Sequence, residues 1–311
     1  MNIIIQRGRV WKMDELPEYS IALDGAVSGP KIDPEHRKFS FDHHSDCYRF
    51  CTLSACMQAH TAIRLGLDPE QYSIFVNDID SDVAAAIWCL KNKDRCEEPL
   101  AIKLINAIGL GDMHAGAFNT NGMGKVIEWV SLPETDSRKN GDYSKLSDEG
   151  LNSILESVLL RIDMYVNGDA KPEVDKIQLS PHYNILRNQN GWVLVESDDP
   201  HAFSGLYKAG FDRIVLLRHQ PDGSICYSIA KRSDFIGEFP ITKFYTALNK
   251  IEPGWGGSSV IGGSPRNHDG SRSKIPPEKL TEIIDEIVLK KIKSQSIKAV
   301  KKNSTIPPGS K

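Results

Sequence analysis

"QYSIFVNDIDSDVAAAIWCLKN" (Gln71 to Asn92) reads as two elements placed back to back. Its first ten residues form a β-rich run around Ile74, Phe75 and Val76. From Ser81 onward the residues are small and apolar and favour a helix. A strand that hands over to a helix across several carboxylates is the repeating unit of α/β domains. The same alternation extends outward. "YSIALDGAV" (Tyr19 to Val27) predicts a strand ending at an Asp-Gly turn, and "KFSFDHH" (Lys38 to His44) predicts another. "RFCTLSACMQAHTAIRLGL" (Arg49 to Leu67) has helical apolar spacing and a stop near Gly66. "EPLAIKLINAIGLGD" (Glu98 to Asp112) predicts a further helix ending at Gly-Asp. The expected fold class is therefore α/β. Residues 1–150 form an N-terminal domain with a mainly parallel sheet and flanking helices.

The second half has a different pattern. "SLPETDSRKNGDYSKLSDEG" (Ser131 to Gly150) is polar and turn-rich and reads as an exposed loop. "LNSILESVLLRIDMYVNG" (Leu151 to Gly168) is amphipathic, so residues 151–175 are expected to be a connecting helix and linker. "GWVLVESDD", "HAFSGLYKAG" and "FDRIVLLRHQPDGSICYSIAKRS" predict a smaller α+β C-terminal domain over 176–295. Within it, Pro221-Asp222-Gly223 turns a hairpin. "PPEKLTEIIDEIVLKKI" closes as a helix, and 296–311 is expected to be a basic, disordered tail.

The chain has 311 residues, enough for two cored domains, and a formal net charge of −3. That charge gives no global basic field for long nucleic acid. No apolar run reaches membrane-spanning length, and the expected location is cytoplasmic. Six cysteines, at 47, 51, 56, 89, 96 and 226, show no framework spacing and read as reduced thiols. Cys47 and Cys51 stand four apart on a possible helix near His43, yet no second Cys/His pair completes a zinc site.

Carboxylates and imidazoles gather where the predicted elements end. Asp24 follows "IAL", Asp42-His43-His44 follow "FSF", Asp78, Asp80 and Asp82 follow "IFV", and Asp112 follows "AIGLG" with His114 close by. In open α/β sheets, ligands bind outside the carboxyl ends of the strands. Crowded carboxylates repel one another until a divalent cation neutralises them. Oxygen-rich ligation mixed with imidazole suits Mn²⁺ or Mg²⁺ better than zinc. Each residue also has a plainer reading: Asp82 as a helix cap, Asp24 within a turn, His60 on a helix surface and His36 in a loop. Farther on, "PGWGGSSVIGGSPRNHDGSRSK" (Pro253 to Lys274) could approach a phosphate through its glycines, with Arg266, Arg272 and Lys274 adding charge. Trp255 could stack on a base or pack under the loop.

These stretches together resemble the DHH phosphoesterase superfamily, of which the RecJ-type exonucleases and oligoribonucleases are members. Asp42-His43-His44 is similar to the namesake motif. "DSDVAAA" (Asp80 to Ala86) is similar to the D-x-D motif. "INAIGLGDMHAG" is similar to the segment carrying a further aspartate, and "ALDGAVSGPKIDPEHRKFSFDHH" to the segment in which an aspartate precedes the DHH strand. The resemblance covers roughly residues 18 to 295. It differs from the family in order, because the D-x-D motif here follows the DHH motif, and in a glycine-rich loop without its histidine.

The resemblance implies a centre of two ions, Mn²⁺ or Mg²⁺. Its metal ligands would be Asp24, His43, Asp78, Asp80, Asp82 and Asp112, with Asp42, His43 and His44 as catalytic residues. It also implies substrate binding by Arg232, Trp255, Gly256, Gly257, Ser258 and Arg266. The activity expected is hydrolysis of phosphoester bonds in short oligonucleotides or small nucleotides by an activated water. The expected partner is a nucleotide or short single-stranded oligonucleotide, with no membrane and a homodimer possible. The alternatives are an inactive nucleotide-binding module and a pyrophosphatase-like hydrolase.

Overall fold

The computed structural model describes residues 1–303 except 115, 119, 121, 180, 200 and 268, with side chains described as far as residue 291. The chain divides into two units, Met1–Pro181 and His182–Lys311. It is a mixed α/β protein with two sheets.

In the first unit, five strands lie in the order β1 (Asn2–Ile5), β5 (Ser73–Val76), β2 (Ser20–Leu23), β4 (Lys38–Phe41) and β3 (Lys31–Asp33). The first four run parallel, and β3 pairs antiparallel with β4. Every residue of β2 is buried, as expected of a central parallel strand covered on both faces. Ile21 and Leu23 face the main helical core, and Ala22 faces a smaller cluster built on Trp11, Leu16 and Phe75. Because β2, β4 and β5 run in one direction, Asp24, Asp42-His43-His44 and Asn77–Asp80 all leave the same edge of the sheet.

The helices of this unit are α1 (Ala55–Arg64), α2 (Ser81–Lys91), α3 (Pro99–His114), α4 (Gly124–Lys139), α5 (Asp148–Val166) and the short α6 (Lys171–Val174). α2 is buried from Asp82 to Leu90, which makes it the central helix, and it packs against α1, α3 and α5. Gly109 of α3 is where α1 comes closest, since a Cβ there would run into Met57 and Ser54.

Several expectations are corrected here. The stretch 131–150 is not a loop: it holds the second half of α4, a one-turn 3₁₀ helix at Tyr143–Lys145 and the start of α5. Pro133 lies inside α4 and supplies no N–H for the Trp129 carbonyl. Arg161 of α5 donates to that carbonyl instead, with its guanidinium over the Trp129 ring at 5.1 Å. α5 is not a connector, because Leu151, Leu155, Val158 and Ile162 are buried in the first unit's core. α3 continues through Asp112 to His114 rather than stopping at Gly-Asp. Cys47 and Cys51 lie in bends and turns ahead of α1, not on a helix, and His60 is buried rather than on the surface.

The second unit has a six-stranded sheet ordered β10 (Gly256–Gly257), β11 (Ile261–Gly263), β9 (Ile225–Lys231), β8 (Arg213–His219), β7 (Trp192–Glu196) and β6 (Asn184–Gln189). Only β7 and β8 pair in parallel. β8 and β9 form the hairpin expected around Pro221-Asp222-Gly223. α7 (Ala202–Lys208), α8 (Ile241–Leu248) and α9 (Pro277–Asn303) complete the unit. The core joins Trp192, Tyr227, Phe244 and Trp255 with Leu280 and Ile284 of α9. α9 carries residues 296–303 as helix, against the expected disordered tail, because breakers come only at Pro307 and Pro308. Residues 304–311 lie outside the described residues. Among the described residues, no helix is long and apolar enough to cross a membrane.

Candidate metal centre

β2 and β4 end in register, Leu23 opposite Phe41, and the ladder continues one step as the Asp24 N–H donates to the Phe41 carbonyl at 2.9 Å. Asp24 then turns with φ +45°, and Gly25 follows with φ +82°. A positive φ on a residue with a side chain is uncommon and invites a functional explanation. The turn sets the Asp24 carboxylate against the residues that leave β4. Asp24 Oδ1 lies 2.9 Å from His44 Nε2 and 3.3 Å from His43 Nε2. Asp112, in the last turn of α3, brings Oδ2 to 2.6 Å from His43 Nε2.

One ligand atom from each of Asp24, His43, His44 and Asp112 lies within 4.8 Å of the others. Despite the short separations, Asp24 Oδ1, Asp112 Oδ2 and both ring nitrogens of His43 are buried without a hydrogen-bond partner among the described residues. Buried polar atoms are nearly always hydrogen-bonded, so three orphans in contact, Asp24 Oδ1, Asp112 Oδ2 and His43 Nε2, call for a cation. Adjacent ligands of an octahedral ion at about 2.1 Å stand about 3 Å apart, close to the separations here. The residues therefore fit a divalent metal.

The protonation states respond to the same crowding. Burial favours the neutral form of His43, but the carboxylates of Asp112 and Asp24 outweigh it and push the pKa up to about 10. Burial works against the charge on Asp24, yet His43 and His44 hold its pKa below the usual carboxylate range. His44 is raised, with Asp24 overcoming its desolvation. Without a metal, protons on the imidazoles balance the carboxylates.

The other expected residues are placed differently. Asp42 is fully buried and acts as a bracket: Oδ2 accepts the Gly29 N–H at 2.7 Å and Oδ1 the His44 N–H at 3.0 Å. It positions His44 and does not face the tetrad atoms. Asp82 caps α1, accepting the N–H groups of Ala55 at 2.7 Å and Cys56 at 3.2 Å. Burial pushes its carboxyl up to about 7. Asp80 caps its own helix, accepting the Val83 N–H at 2.8 Å. Burial raises its pKa strongly, and Asp24 and Asp112 add to the rise, so it borders the tetrad without joining it.

Asp78 points elsewhere. The Tyr143 hydroxyl donates to Asp78 Oδ1 at 2.6 Å and accepts the Ile79 N–H at 3.1 Å. Arg138 stacks on the Tyr143 ring at 3.8 Å and bonds Glu134 at 2.6 Å. This clamp on the segment leading to Asp80 was missed because the polar, turn-rich stretch that holds Glu134, Arg138 and Tyr143 reads as a loop. Arg49 was missed too: its guanidinium donates to the Asp112 carbonyl at 3.1 Å and sits 3.2 Å from His44 Nδ1. The sequence carries no local signal for it. His114 stacks on Phe118 at 4.3 Å and stays outside the tetrad.

In the second unit the expected phosphate loop is a β-hairpin. Gly256 and Gly257 pair with Gly263 and Gly262, and β11 pairs with β9. Its glycines answer crowding: a Cβ at Gly263 would collide with the Tyr227 carbonyl, and one at Gly262 with the Tyr245 hydroxyl. Trp255 is buried and stacks on Tyr227 at 5.7 Å, with its indole N–H donating to Glu252, so it packs under the hairpin. Ser258 Oγ accepts the N–H groups of Val260 and Ile261. Arg232 is paired with Asp212 at 2.7 Å and lies over Tyr207, while Arg266 is exposed. The protein matches no family model and no curated protein.

Proposed function

We propose that the tetrad holds a divalent cation and that the protein is a metal-dependent phosphoesterase of the DHH type, acting on small nucleotides or short oligonucleotides. The observation that carries this is the set of buried, unpaired ligand atoms on Asp24, His43 and Asp112, with His44 beside them. Two carboxylates and two imidazoles favour Mn²⁺ over Mg²⁺, which seldom takes nitrogen ligands. Asp80 is the residue that would extend the centre to a second ion. The motif resemblance assigns the first unit as the phosphoesterase domain and the second as the substrate-associated domain. A cytoplasmic setting, where thiols stay reduced, suits the buried free thiols of Cys56, Cys89 and Cys96.

Bound metal would neutralise the phosphoryl oxygens and lower the pKa of a water nucleophile. The chain's own residues do the rest. Asp24 holds both imidazoles on one side of the site, and Asp42 fixes the His44 backbone. His44 is the partly exposed imidazole of the tetrad, with its ring nitrogen held by Asp24. Its Nε2 faces the tetrad and its Nδ1 meets Arg49, which orients the ring, so His44 would serve the centre as a ligand.

The pyrophosphatase-like reading gains from one observation. Arg232 and Ser258, which the resemblance implies bind an organic substrate, are engaged within their own unit. The test is calorimetric titration with Mn²⁺, followed by assay on dinucleotides, short single strands and pyrophosphate. One bound ion or more, lost in Asp24→Asn, with hydrolysis of a dinucleotide or short strand to mononucleotides is the expected result. Metal bound with turnover of pyrophosphate alone would select the second reading. No metal binding at all would end both.

A further inference from the structure

We propose that the first unit carries its own nucleobase-binding platform on the rim of the tetrad, formed by Tyr48 and Phe118. This rests on the phosphoesterase reading and names what recognises the organic part of the substrate. Both rings are exposed, at 76% and 53% of their full surface. Tyr48 and Phe50 lie 6.3 Å apart on the segment that follows His44. Between them, Arg49 reaches back to the carbonyls of Asp112 and Met113 and to His44 Nδ1. That side chain pins the segment to two of the four ligand-bearing residues. The N–H groups of Cys51 and Thr52 both donate to the Tyr48 carbonyl at 3.0 Å and fold the segment into a turn.

Phe118 comes from a different segment. Its ring packs on His114, which shares the last turn of α3 with Asp112. Two stretches that leave metal-ligand candidates thus each carry exposed aromatic surface.

Reach limits the occupant. Tyr48 is four residues past His44, so its Cα lies within about 14 Å of the His44 Cα. A phosphate held at the tetrad would keep its attached base within that range. Aromatic rings stack on any base, whose π-face is common to all four, and such stacking is tolerant of sequence. The occupant is therefore a base joined to the phosphate, with no strong preference among bases.

The test compares two probes on the full-length protein loaded with Mn²⁺: 2-aminopurine ribonucleoside monophosphate, read by fluorescence quenching against a protein-free Mn²⁺ blank, and ribose 5-phosphate, read by competition. The nucleotide is expected to quench on binding and to bind roughly tenfold or more tighter than the sugar phosphate, the worth of one stacked base. Tyr48→Ala combined with Phe118→Ala is expected to remove that advantage while leaving ribose 5-phosphate affinity and the thermal midpoint unchanged. Tyr48→Trp in the Phe118 background is expected to retain it. Equal binding of the two probes to the wild-type protein would overturn the platform and leave the metal-site reading standing. Binding of neither would overturn both. Loss of self-association in the double variant, with nucleotide affinity intact, would overturn the platform in favour of a contact between copies.

Discussion

Asp82→Ala distinguishes a helix cap from a metal ligand. Asp82 is 1% exposed, and its two oxygens accept the N–H groups of Ala55 and Cys56, the first two residues of α1. Ser54, at the N-cap position of α1, makes no side-chain cap bond, so the carboxylate from α2 takes its place. Hydrogen bonds to a charged acceptor contribute about 1.5–3 kcal/mol each. The burial that pushes the Asp82 carboxyl up to about 7 offsets part of this once the group is ionised. A net loss of about 1–2 kcal/mol is expected at pH 8 in the metal-free protein, at the upper end for lost caps. For a unit of this size that lowers the melting temperature by roughly 2–8 °C. The assay is urea and thermal unfolding in chelator, paired with Mn²⁺ titration. Mn²⁺ affinity is expected to fall less than about tenfold in Asp82→Ala and more than about a hundredfold in Asp112→Ala. A variant that kept the wild-type unfolding midpoint yet lost Mn²⁺ as fully as Asp112→Ala would refute the cap reasoning.

Four further outcomes follow from the structure. The His43 pKa rises from 6.5 to about 10 on folding, so its stabilising charge is fully present below 6.5 and lost as pH climbs through 10. The urea midpoint of the metal-free protein should fall across that window, and His43→Gln should flatten the fall. Mn²⁺ must displace that proton, so affinity should rise by about tenfold per pH unit near neutrality, with proton uptake by the buffer seen calorimetrically. Tyr143→Phe removes the bond to Asp78, while the Ile79 N–H keeps Asp78 Oδ1 as acceptor at 3.0 Å, so the expected cost in chemical unfolding is about 1 kcal/mol. Gly263→Ala forces a methyl against the Tyr227 carbonyl and should destabilise the protein by about 1–3 kcal/mol, read as a lower unfolding midpoint.

Much of the first unit is legible in single segments. Strand, carboxylate and helix follow one another at Ile74–Leu90, and the buried run of β2 and the Asp24-Gly25 turn are plain in the letters. What misled was chemistry answered from far away. Pro133 looks like a loop signal because its partner carbonyl is satisfied by Arg161, 32 residues distant from Trp129. The glycines around Gly262 look like a phosphate cradle, but they are small because Tyr227 and Tyr245 press on them. α5 resembles a linker helix until the core that buries its apolar face is known.

The site divides in the same way. The sequence by itself determined the element types between residues 19 and 112, and it placed acidic and imidazole side chains at the ends of β2, β4 and β5, because periodicity and turn chemistry are local properties. It also named Asp24, His43 and Asp112. Only the tertiary structure decided which carboxylates stay unpaired. Asp42, Asp80 and Asp82 look equivalent to Asp24 on paper, yet backbone N–H groups satisfy all three, and for Asp82 these come from residues 27 and 26 positions away. Asp24, turned out of its strand at positive φ, meets imidazoles instead of N–H groups. Whether a carboxylate caps a helix or remains open to a cation depends on what packing brings against it.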